Sequence, residues 1–323
     1  MHVHLGPLGD LPGSRGRPAE IADEIVETTV RAEELGFDGA WVGERHFVPE
    51  CVMISAPFAL LSAMAAATER IRLGTSVALV PLHHPVQLVE RVATVDALSD
   101  GRVTLGTGIG YLDEEYDAFG VDRRRRVARV LDAVEFFDAT EDHEPVSFEG
   151  REYDLEGVRI EPAFTQEPRP PIWMGGTVPD AMERAARVGD GYLGLPAGPD
   201  FYRQATDVIE STLEDDADFE VCAMVNAFVA DTTAEARETV EPGLDYLEYR
   251  YSEWQDRERR PVDPATDPGV YGTPEEVVEG LSVYRDILGA DAHLLVRLHY
   301  PDVPRRVSDD AMTRFADEVL PAL

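Results

Sequence analysis

The sequence contains no lysine, and this absence excludes several kinds of active site. A Schiff-base lysine, the lysine of a phosphate-binding P-loop and the lysine of a kinase all require a residue that the chain does not have. The only cysteines, Cys51 and Cys222, are too few for a disulfide framework or a four-cysteine metal site. No grouping of histidines, cysteines and carboxylates has the spacing typical of a metal site, so we predict no metal.

Basic residues are scarce and long hydrophobic runs are missing. The chain has 63 Asp+Glu residues against 29 Lys+Arg residues, and its net charge of -34 would repel the phosphates of a nucleic acid. No apolar run reaches the ~20 residues of a membrane helix, and residues 1–13 lack the basic and apolar segments of a secretory signal. We therefore expect a cytoplasmic protein with no affinity for nucleic acids or membranes. Acid excess without lysine is typical of halophilic proteins, with an ordinary acidic protein as the alternative.

Short apolar runs alternate with amphipathic helices along most of the chain. Glu20–Leu35 has apolar residues at helical spacing, and Phe37–Val42 follows it as a short apolar run. This pattern repeats roughly eight times and predicts a parallel sheet of class α/β. With no sign of a second core, we predict that residues 1–323 form a single domain. A (β/α)8 TIM barrel is the favoured closure, and an open doubly wound sheet is the alternative.

Two segments depart from this alternation. Residues 140–170 contain the runs Phe148–Tyr153 and Gly157–Pro162, which together predict a hairpin inserted between barrel units. Residues 249–272 are rich in Arg, Asp, Glu and Pro, which predicts a long loop that acts as a lid near the site.

Charged residues cluster directly after the predicted strand Phe37–Val42. Glu44, Arg45 and His46 stand at what would be the carboxyl end of that strand, where parallel barrels carry their functional groups. An imidazole there can donate a hydrogen bond or transfer a proton near neutral pH. The alternative is a rim of salt bridges that only connects loops.

Glycines mark a candidate anion site near residue 176. The predicted strand Pro171–Gly175 leads through Gly176 and Thr177 into a helix that has Pro179 at its start. Backbone N–H groups at such a helix start attract an anion, and glycine lets a phosphate approach the backbone. Simple turn chemistry is the alternative.

A second glycine segment contains Gly106, Gly108 and Gly110. Its spacing is only a weak match to a dinucleotide-binding fingerprint. We interpret it as a place where the backbone approaches a flat ring closely.

Together these segments resemble the bacterial luciferase-like family of flavin-dependent oxidoreductases. The resemblance extends from about Ile21 to Leu320. Its matching blocks, in family order, are Ala32–Phe47, Ile71–Arg102, Gly106–Gly120, Pro171–Gly191 and Gly272–Glu276. Each block alone is a weak signal, whereas five blocks in the family's order are a strong one.

The resemblance implies a barrel with an insertion that binds FMN or the related deazaflavin, coenzyme F-420. Ser76 and Val77 occupy the position where the family often has a non-prolyl cis peptide beneath the flavin ring. Gly106–Gly110 would pass near the ring and the ribityl chain. Gly175–Thr177 would hold the phosphate, and Arg126 matches a family arginine.

One position departs from the family pattern. Luciferase has histidine where this chain has Arg45, and only the following His46 is retained. That histidine is tied to stabilising oxygenated flavin, so the change argues against light emission and puts oxygen activation in doubt. An arginine there could pair with an anionic group of the substrate or cofactor.

The resemblance implies an enzyme, most simply a monooxygenase that uses reduced FMN and O2 on a small organic substrate. A separate flavin reductase would supply the reduced FMN, and family members form dimers, so we expect a homodimer or other homo-oligomer. Glu44, Arg45 and His46 would then act on the substrate. The alternatives are hydride transfer with coenzyme F-420 and a non-catalytic flavin-binding partner subunit. A barrel hydrolase using Glu44 and His46 is remote, because no nucleophile motif such as GxSxG is present.

Overall fold

Strands and helices alternate from the first residues of the chain. The computed structural model describes residues 1–9, 17–48, 54–142, 144–214, 218–256, 258–260, 262 and 267–323. Cys51 and residues 257, 261 and 263–266 of the predicted lid lie outside the described residues.

The strands are β1 His2–Leu8, β2 Gly39–Val42, β3 Arg72–Thr75, β4 Ala78–Leu79, β5 Val103–Gly108, β6 Val146–Glu149, β7 Asp154–Val158, β8 Ile172–Gly175, β9 Gly191–Leu193, β10 Glu220–Val229, β11 Val270–Gly272 and β12 His293–Arg297. The helices are α1 Pro18–Glu34, α2 Pro57–Ala67, α3 Pro85–Ser99, α4 Asp113–Phe119, α5 Arg126–Ala139, α6 Pro179–Val188, α7 Pro199–Glu210, α8 Thr233–Trp254, α9 Pro274–Leu288 and α10 Arg305–Glu318. Proline begins α1, α2, α3, α6, α7 and α9, at a position where its missing N–H group costs no helical hydrogen bond.

Within the described residues, eight parallel strands close into a barrel in the order β1, β2, β3, β5, β8, β9, β10 and β12. The closure depends on two pairings, β9 with β10 and β12 with β1. These pairings confirm the predicted (β/α)8 barrel over the open doubly wound sheet. The carboxyl ends of all eight strands therefore meet at one mouth. None of the described helices combines the length and apolar character that crossing a bilayer requires.

Large aromatic rings fill the middle of the barrel. The indoles of Trp41 and Trp173 stack with their centroids 4.9 Å apart, and both residues are fully buried. A Cβ atom at Gly74 would overlap the Trp41 ring, so this position on β3 needs glycine. Leu193, Cys222, Met224 and Leu295 complete this layer, against which the partly buried Val77 packs.

A hydrogen-bonded polar cluster closes the amino end of the barrel. Glu220 accepts hydrogen bonds from both terminal nitrogens of Arg72, at 3.1 and 2.9 Å, and from the indole N–H of Trp173 at 2.9 Å. Nε2 of His293 lies 3.0 Å from the same carboxylate. Nδ1 of His293 lies 2.8 Å from Nε2 of His4. Because a carboxylate only accepts, His293 donates through Nε2 and its Nδ1 accepts a hydrogen bond from Nε2 of His4, so the His293 ring is neutral. Burial lowers the pKa of His4, which favours the neutral form of that ring as well.

The structure agrees with the predicted hairpin in the insertion but not with the predicted loop over the lid. Strands β6 and β7 pair antiparallel, which agrees with the predicted hairpin. The prediction of a loop over residues 249–272 is wrong at both ends, because α8 continues to Trp254 and β11 pairs with β10. The charges that suggested a loop pair along the helix instead, as the 2.9 Å ion pair between Arg250 and Glu253 shows.

Sequence patterns also missed complete elements. Strand β1 was not predicted because His2 and His4 interrupt its apolar run, yet His4 is buried inside the barrel. Helix α4 was not predicted either, because its first turn is acidic and follows a glycine segment.

Candidate active site

The centre of the mouth is shaped by a break between β3 and β4. The peptide bond between Ser76 and Val77 is cis, as the family resemblance implied. The Ser76 N–H group donates to the Val42 carbonyl over 2.7 Å, which ties this bulge to β2. Because Val77 packs on the layer that fills the barrel, the bulge lies over the barrel axis at the carboxyl end.

The glycine segment of β5 makes room for this bulge. A Cβ atom at Gly106 would overlap the Thr75 carbonyl oxygen, and one at Gly108 would overlap the Val77 side chain. These two glycines therefore let β5 approach β3 and the bulge closely, whereas the predicted approach to a flat ring stays a prediction. Gly110 has φ +69° and lies beside Tyr116, whose hydroxyl donates to the Ile109 carbonyl.

Arg126 lies at the start of α5, close to the same segment. Burial raises the pKa of Tyr116 to about 12, while the nearby charges of Arg126 and Arg123 oppose this rise. One terminal nitrogen of Arg126 donates to the Arg123 carbonyl over 2.9 Å. The charge of Arg126 thus acts on Tyr116, whose ring lies next to Gly110 at the end of the glycine segment.

The turn between β8 and α6 has the features expected of an anion cradle. A Cβ atom at Gly176 would overlap Cβ of Ala181, so only glycine fits against the first turn of α6. Among the described residues, no hydrogen bond is made by the N–H groups of Thr177 and Val178. A Cβ atom at Gly175 would lie 3.6 Å from Cγ1 of Val77. The cradle and the bulge are therefore neighbours, and a phosphorylated cofactor whose ring lies on the bulge would fit the residues present.

A buried carboxylate organises the polar side of the mouth. Glu44 is 4% exposed, and its carboxylate accepts the Leu79 N–H group over 2.6 Å. Nε2 of His46 lies 3.1 Å from Oε1 of Glu44, and Nε2 of His83 lies 2.9 Å from the same oxygen. Burial alone would raise the pKa of Glu44, but the hydrogen bonds from His46, from His83 and from the Leu79 N–H group lower it to about 2. Glu44 is therefore a permanent anion that orients two imidazoles.

His83 is a site residue that the sequence analysis missed. The guanidinium of Arg91 donates to its Nδ1 atom over 2.9 Å, so Nδ1 is an acceptor and Nε2 carries the proton given to Glu44. The sequence analysis considered His83 only among the histidines tested for metal-site spacing. Its position directly after the strand-like run of residues 71–80 was the signal that could have identified it.

The Arg45 side chain is engaged within the protein. Its guanidinium lies over the rings of Tyr111 and Trp254, at 4.7 and 4.9 Å from the centroids. It also donates to the Tyr111 hydroxyl over 3.0 Å, and one nitrogen lies 3.8 Å from the buried carboxylate of Glu115. The backbone N–H group of His46 donates to this same Glu115. Arg45 therefore connects the loop after β2 with α4 and the end of α8.

Within the described part of the chain, no three His, Cys, Asp or Glu side chains are grouped closely enough to hold a metal ion. The site therefore offers a carboxylate with two imidazoles, a bulge over the barrel axis and an anion cradle.

Substitution of Glu44 by Gln is expected to destabilise the protein by about 3 kcal/mol at pH 7. The amide NH2 group of glutamine cannot accept a hydrogen bond, so some of the buried N–H groups that now donate to Glu44 would lose their acceptor. Urea unfolding of wild type and variant measures this difference. The depressed pKa means that the Glu44 contribution is complete above the ordinary value of 4.5 and is lost as the pH falls toward 2. Glu69→Gln, at a carboxylate 87% exposed, is the control and should change stability by less than about 0.5 kcal/mol. Equal losses in the two variants would contradict the role of Glu44.

Comparisons with known proteins agree with this arrangement. A family model described as luciferase-like monooxygenase matches residues 1–291. The chain is 29% identical to 4-hydroxyprotoasukamycin monooxygenase of Streptomyces nodosus subsp. asukaensis, over 91% of this chain and 83% of that protein. It is 36% identical to an F420-dependent glucose-6-phosphate dehydrogenase of Kineococcus radiotolerans, over 54% of this chain and 52% of that protein. For several curated relatives, the match spans about half of the relative's length.

The fold also matches a solved structure over its whole length. Monooxygenase RslO1 from Streptomyces bottropensis superposes with a TM-score of 0.88 at 24% identity, and the match covers 99% of both chains. At this identity the likeness concerns the fold.

Proposed function

The chain belongs to the luciferase-like monooxygenase family, and on that premise we propose that it is a flavin-dependent monooxygenase that acts on a small organic substrate with reduced FMN and O2. A separate flavin reductase would supply the reduced FMN. The observation that carries this proposal is the juxtaposition, at one mouth, of the Gly175–Thr177 cradle and the Ser76–Val77 bulge. Reduced FMN, when bound, would supply the electrons for oxygen activation.

The chain's own residues supply binding, orientation and a proton donor. Thr177 and Val178 present N–H groups to a phosphate at the start of α6, where the helix dipole favours negative charge. Val77 supports the ring from the barrel side. The ionised Glu44 keeps a proton on Nε2 of His46 and of His83. His46 lies next to the open mouth, so we assign it the hydrogen bond to the substrate. Arg45 positions His46 by bracing the loop against Glu115 and Trp254.

Hydride transfer with coenzyme F-420 is the second candidate. Two observations favour it: Arg45 replaces the family histidine that is tied to oxygenated flavin, and F420-dependent dehydrogenases are among the relatives. The Gly175–Thr177 cradle would bind either cofactor, because FMN and F-420 share the skeleton from ring to phosphate. A non-catalytic flavin-binding subunit is the third candidate, and it predicts binding without turnover.

Titration of the purified protein with FMN and with F-420, followed by the fluorescence of each, separates these candidates. We expect FMN to bind at least tenfold more tightly than F-420, which equals about 1.4 kcal/mol. Tighter binding of F-420 would favour the hydride-transfer enzyme, and binding of neither would reject the proposed function. Consumption of O2 by the protein with reduced FMN and a panel of substrates then tests the monooxygenase itself. Tight FMN binding with no turnover for any substrate would favour the silent subunit.

A further inference from the structure

Exposed apolar side chains gather at the mouth of the barrel. Among the described residues, the large apolar side chains exposed to solvent belong to Phe47, Leu98, Phe119, Val178, Leu195 and Tyr249. Phe47, Val178 and Leu195 follow β2, β8 and β9, and Phe119 ends the helix α4 that follows β5. These four side chains therefore surround the end of the barrel that carries the candidate site. Apolar surface left open around a site is typical of surface that a ligand covers.

Three of the rings at the mouth form one cluster, which we call the aromatic rim: His46, Phe47 and Phe119. The centroids of His46 and Phe119 are 4.7 Å apart in an edge-to-face arrangement, and those of Phe47 and Phe119 are 6.1 Å apart. Phe47 is nevertheless 54% exposed and Phe119 is 44% exposed. The rim therefore combines a polar imidazole with two apolar ring faces that the described residues leave open.

The backbone holds Phe47 in the rim. Phe47 has φ +58°, in the left-handed region that bulky residues rarely adopt. The residues before it are fixed by hydrogen bonds, from Arg45 N–H to the Ile54 carbonyl and from His46 N–H to Glu115. A non-glycine residue kept in this conformation and still exposed is typical of a functional position.

Two charged groups adjoin His46. The guanidinium of Arg45 is engaged with Glu115, Tyr111 and Trp254, whereas the carboxylate of Glu44 faces the His46 ring. Glu44, 3.1 Å from the His46 ring, is ionised at every physiological pH because hydrogen bonds hold its pKa at about 2. A second negative charge placed next to His46 would be repelled, whereas a neutral ring would gain by covering apolar surface.

We propose that the substrate is an uncharged aromatic or alicyclic ring compound whose apolar face packs on Phe47 and Phe119 and whose polar group meets His46. This inference rests on the proposed function, since it names the substrate class of that same site. It assigns Phe47 and Phe119 as specificity-determining residues. It also distinguishes this protein from a sugar-phosphate enzyme, whose substrate is polar and anionic.

The test measures ligand affinity by isothermal titration calorimetry, with the protein saturated with whichever of FMN or F-420 it binds. The probes are 2-naphthol and naphthalene-2-sulfonate, which share a ring system and differ in charge. We expect wild type to bind 2-naphthol at least tenfold more tightly than the sulfonate. Phe119→Ala and Phe47→Ala should each weaken 2-naphthol binding at least fivefold. Leu98→Ala is the matched control, because Leu98 is 51% exposed on α3, which ends at the opposite side of the barrel.

Each outcome supports or overturns the proposal. Equal affinity for the two probes, or unchanged 2-naphthol binding in both phenylalanine variants, would overturn it. Failure to bind either cofactor is a failure of the proposed function, whereas cofactor binding without 2-naphthol binding is a failure of the substrate class alone. Thermal unfolding of each variant checks its folding, and Phe119→Leu, which keeps apolar area, should recover part of the affinity. A change of oligomeric state in the phenylalanine variants would show that a second copy of the chain covers the rim, and this would also overturn the proposal.

Discussion

Replacement of Gly176 by Asp is expected to abolish FMN binding, with an affinity loss of at least 100-fold, or about 2.7 kcal/mol. A side chain at residue 176 cannot be accommodated without displacing α6, since its Cβ atom would overlap Cβ of Ala181. The aspartate also places a negative charge beside the N–H groups proposed to hold the phosphate. Titration of FMN fluorescence measures the effect.

Two further variants separate size from charge at this turn. Gly176→Ala adds only the methyl group and should weaken FMN binding about tenfold, an intermediate effect of about 1.4 kcal/mol. Gly157→Asp adds the same charge in the hairpin, at a position with no atom within 4 Å of the new Cβ, and should leave binding unchanged. Normal FMN affinity in a folded Gly176→Asp protein would reject the phosphate cradle.

Replacement of Glu220 by Gln should be the most destabilising change at the amino end of the barrel. The carboxylate receives hydrogen bonds from Arg72, Trp173 and His293 and is about one-third exposed. A fully buried pair that loses one partner costs about 3–5 kcal/mol, and the partial exposure of Glu220 reduces our expectation to about 2 kcal/mol. Urea unfolding at pH 7 measures the loss. The exposed pair between Arg314 and Glu318 supplies the control Glu318→Gln, which should lose less than about 0.5 kcal/mol.

The same cluster predicts that acid destabilises the protein in two stages. Burial lowers the pKa of His4 and of His293 below 6.5, with the charge of Arg72 lowering both further and Glu220 opposing this. The unfolded chain therefore takes up protons first, and stability falls as the pH drops below 6.5 by up to about 1.4 kcal/mol per pH unit for each ring. Burial would raise the pKa of Glu220, but its bonds to His293 and Arg72 hold it well below 4.5, so its contribution is lost at lower pH still.

Chemical unfolding across pH 4 to 7.5 tests this prediction. His4→Gln removes one of the two buried rings, so stability should depend on pH less steeply between pH 6.5 and 5 in this variant than in wild type. The two proteins should have parallel profiles at pH 7 and above. Identical slopes below pH 6.5 would show that the acid sensitivity arises elsewhere in the protein.

The sequence alone determined the class of fold and predicted the end of the barrel at which the candidate site lies. Alternating apolar runs and amphipathic helices were sufficient to predict a parallel α/β sheet and to favour a barrel, because parallel strands buried on both faces and helices with one apolar face leave few alternative architectures. The positions of Glu44 and His46 after one strand and of Gly175–Thr177 after another placed both at the same mouth. These are local patterns, and short-range physical chemistry is enough to interpret them.

Contacts between residues distant in the chain were decided by the tertiary structure. Barrel closure depends on β12 meeting β1, and no local pattern encodes that pairing. His83 becomes a partner of Glu44 only because β3 and β2 are neighbours, and Arg45 is engaged because α8 continues to Trp254. A sequence shows which side chains can donate, accept or carry charge. Which of them meet is set by packing of the whole chain, since the energy of each contact depends on burial and distance that only the folded barrel defines.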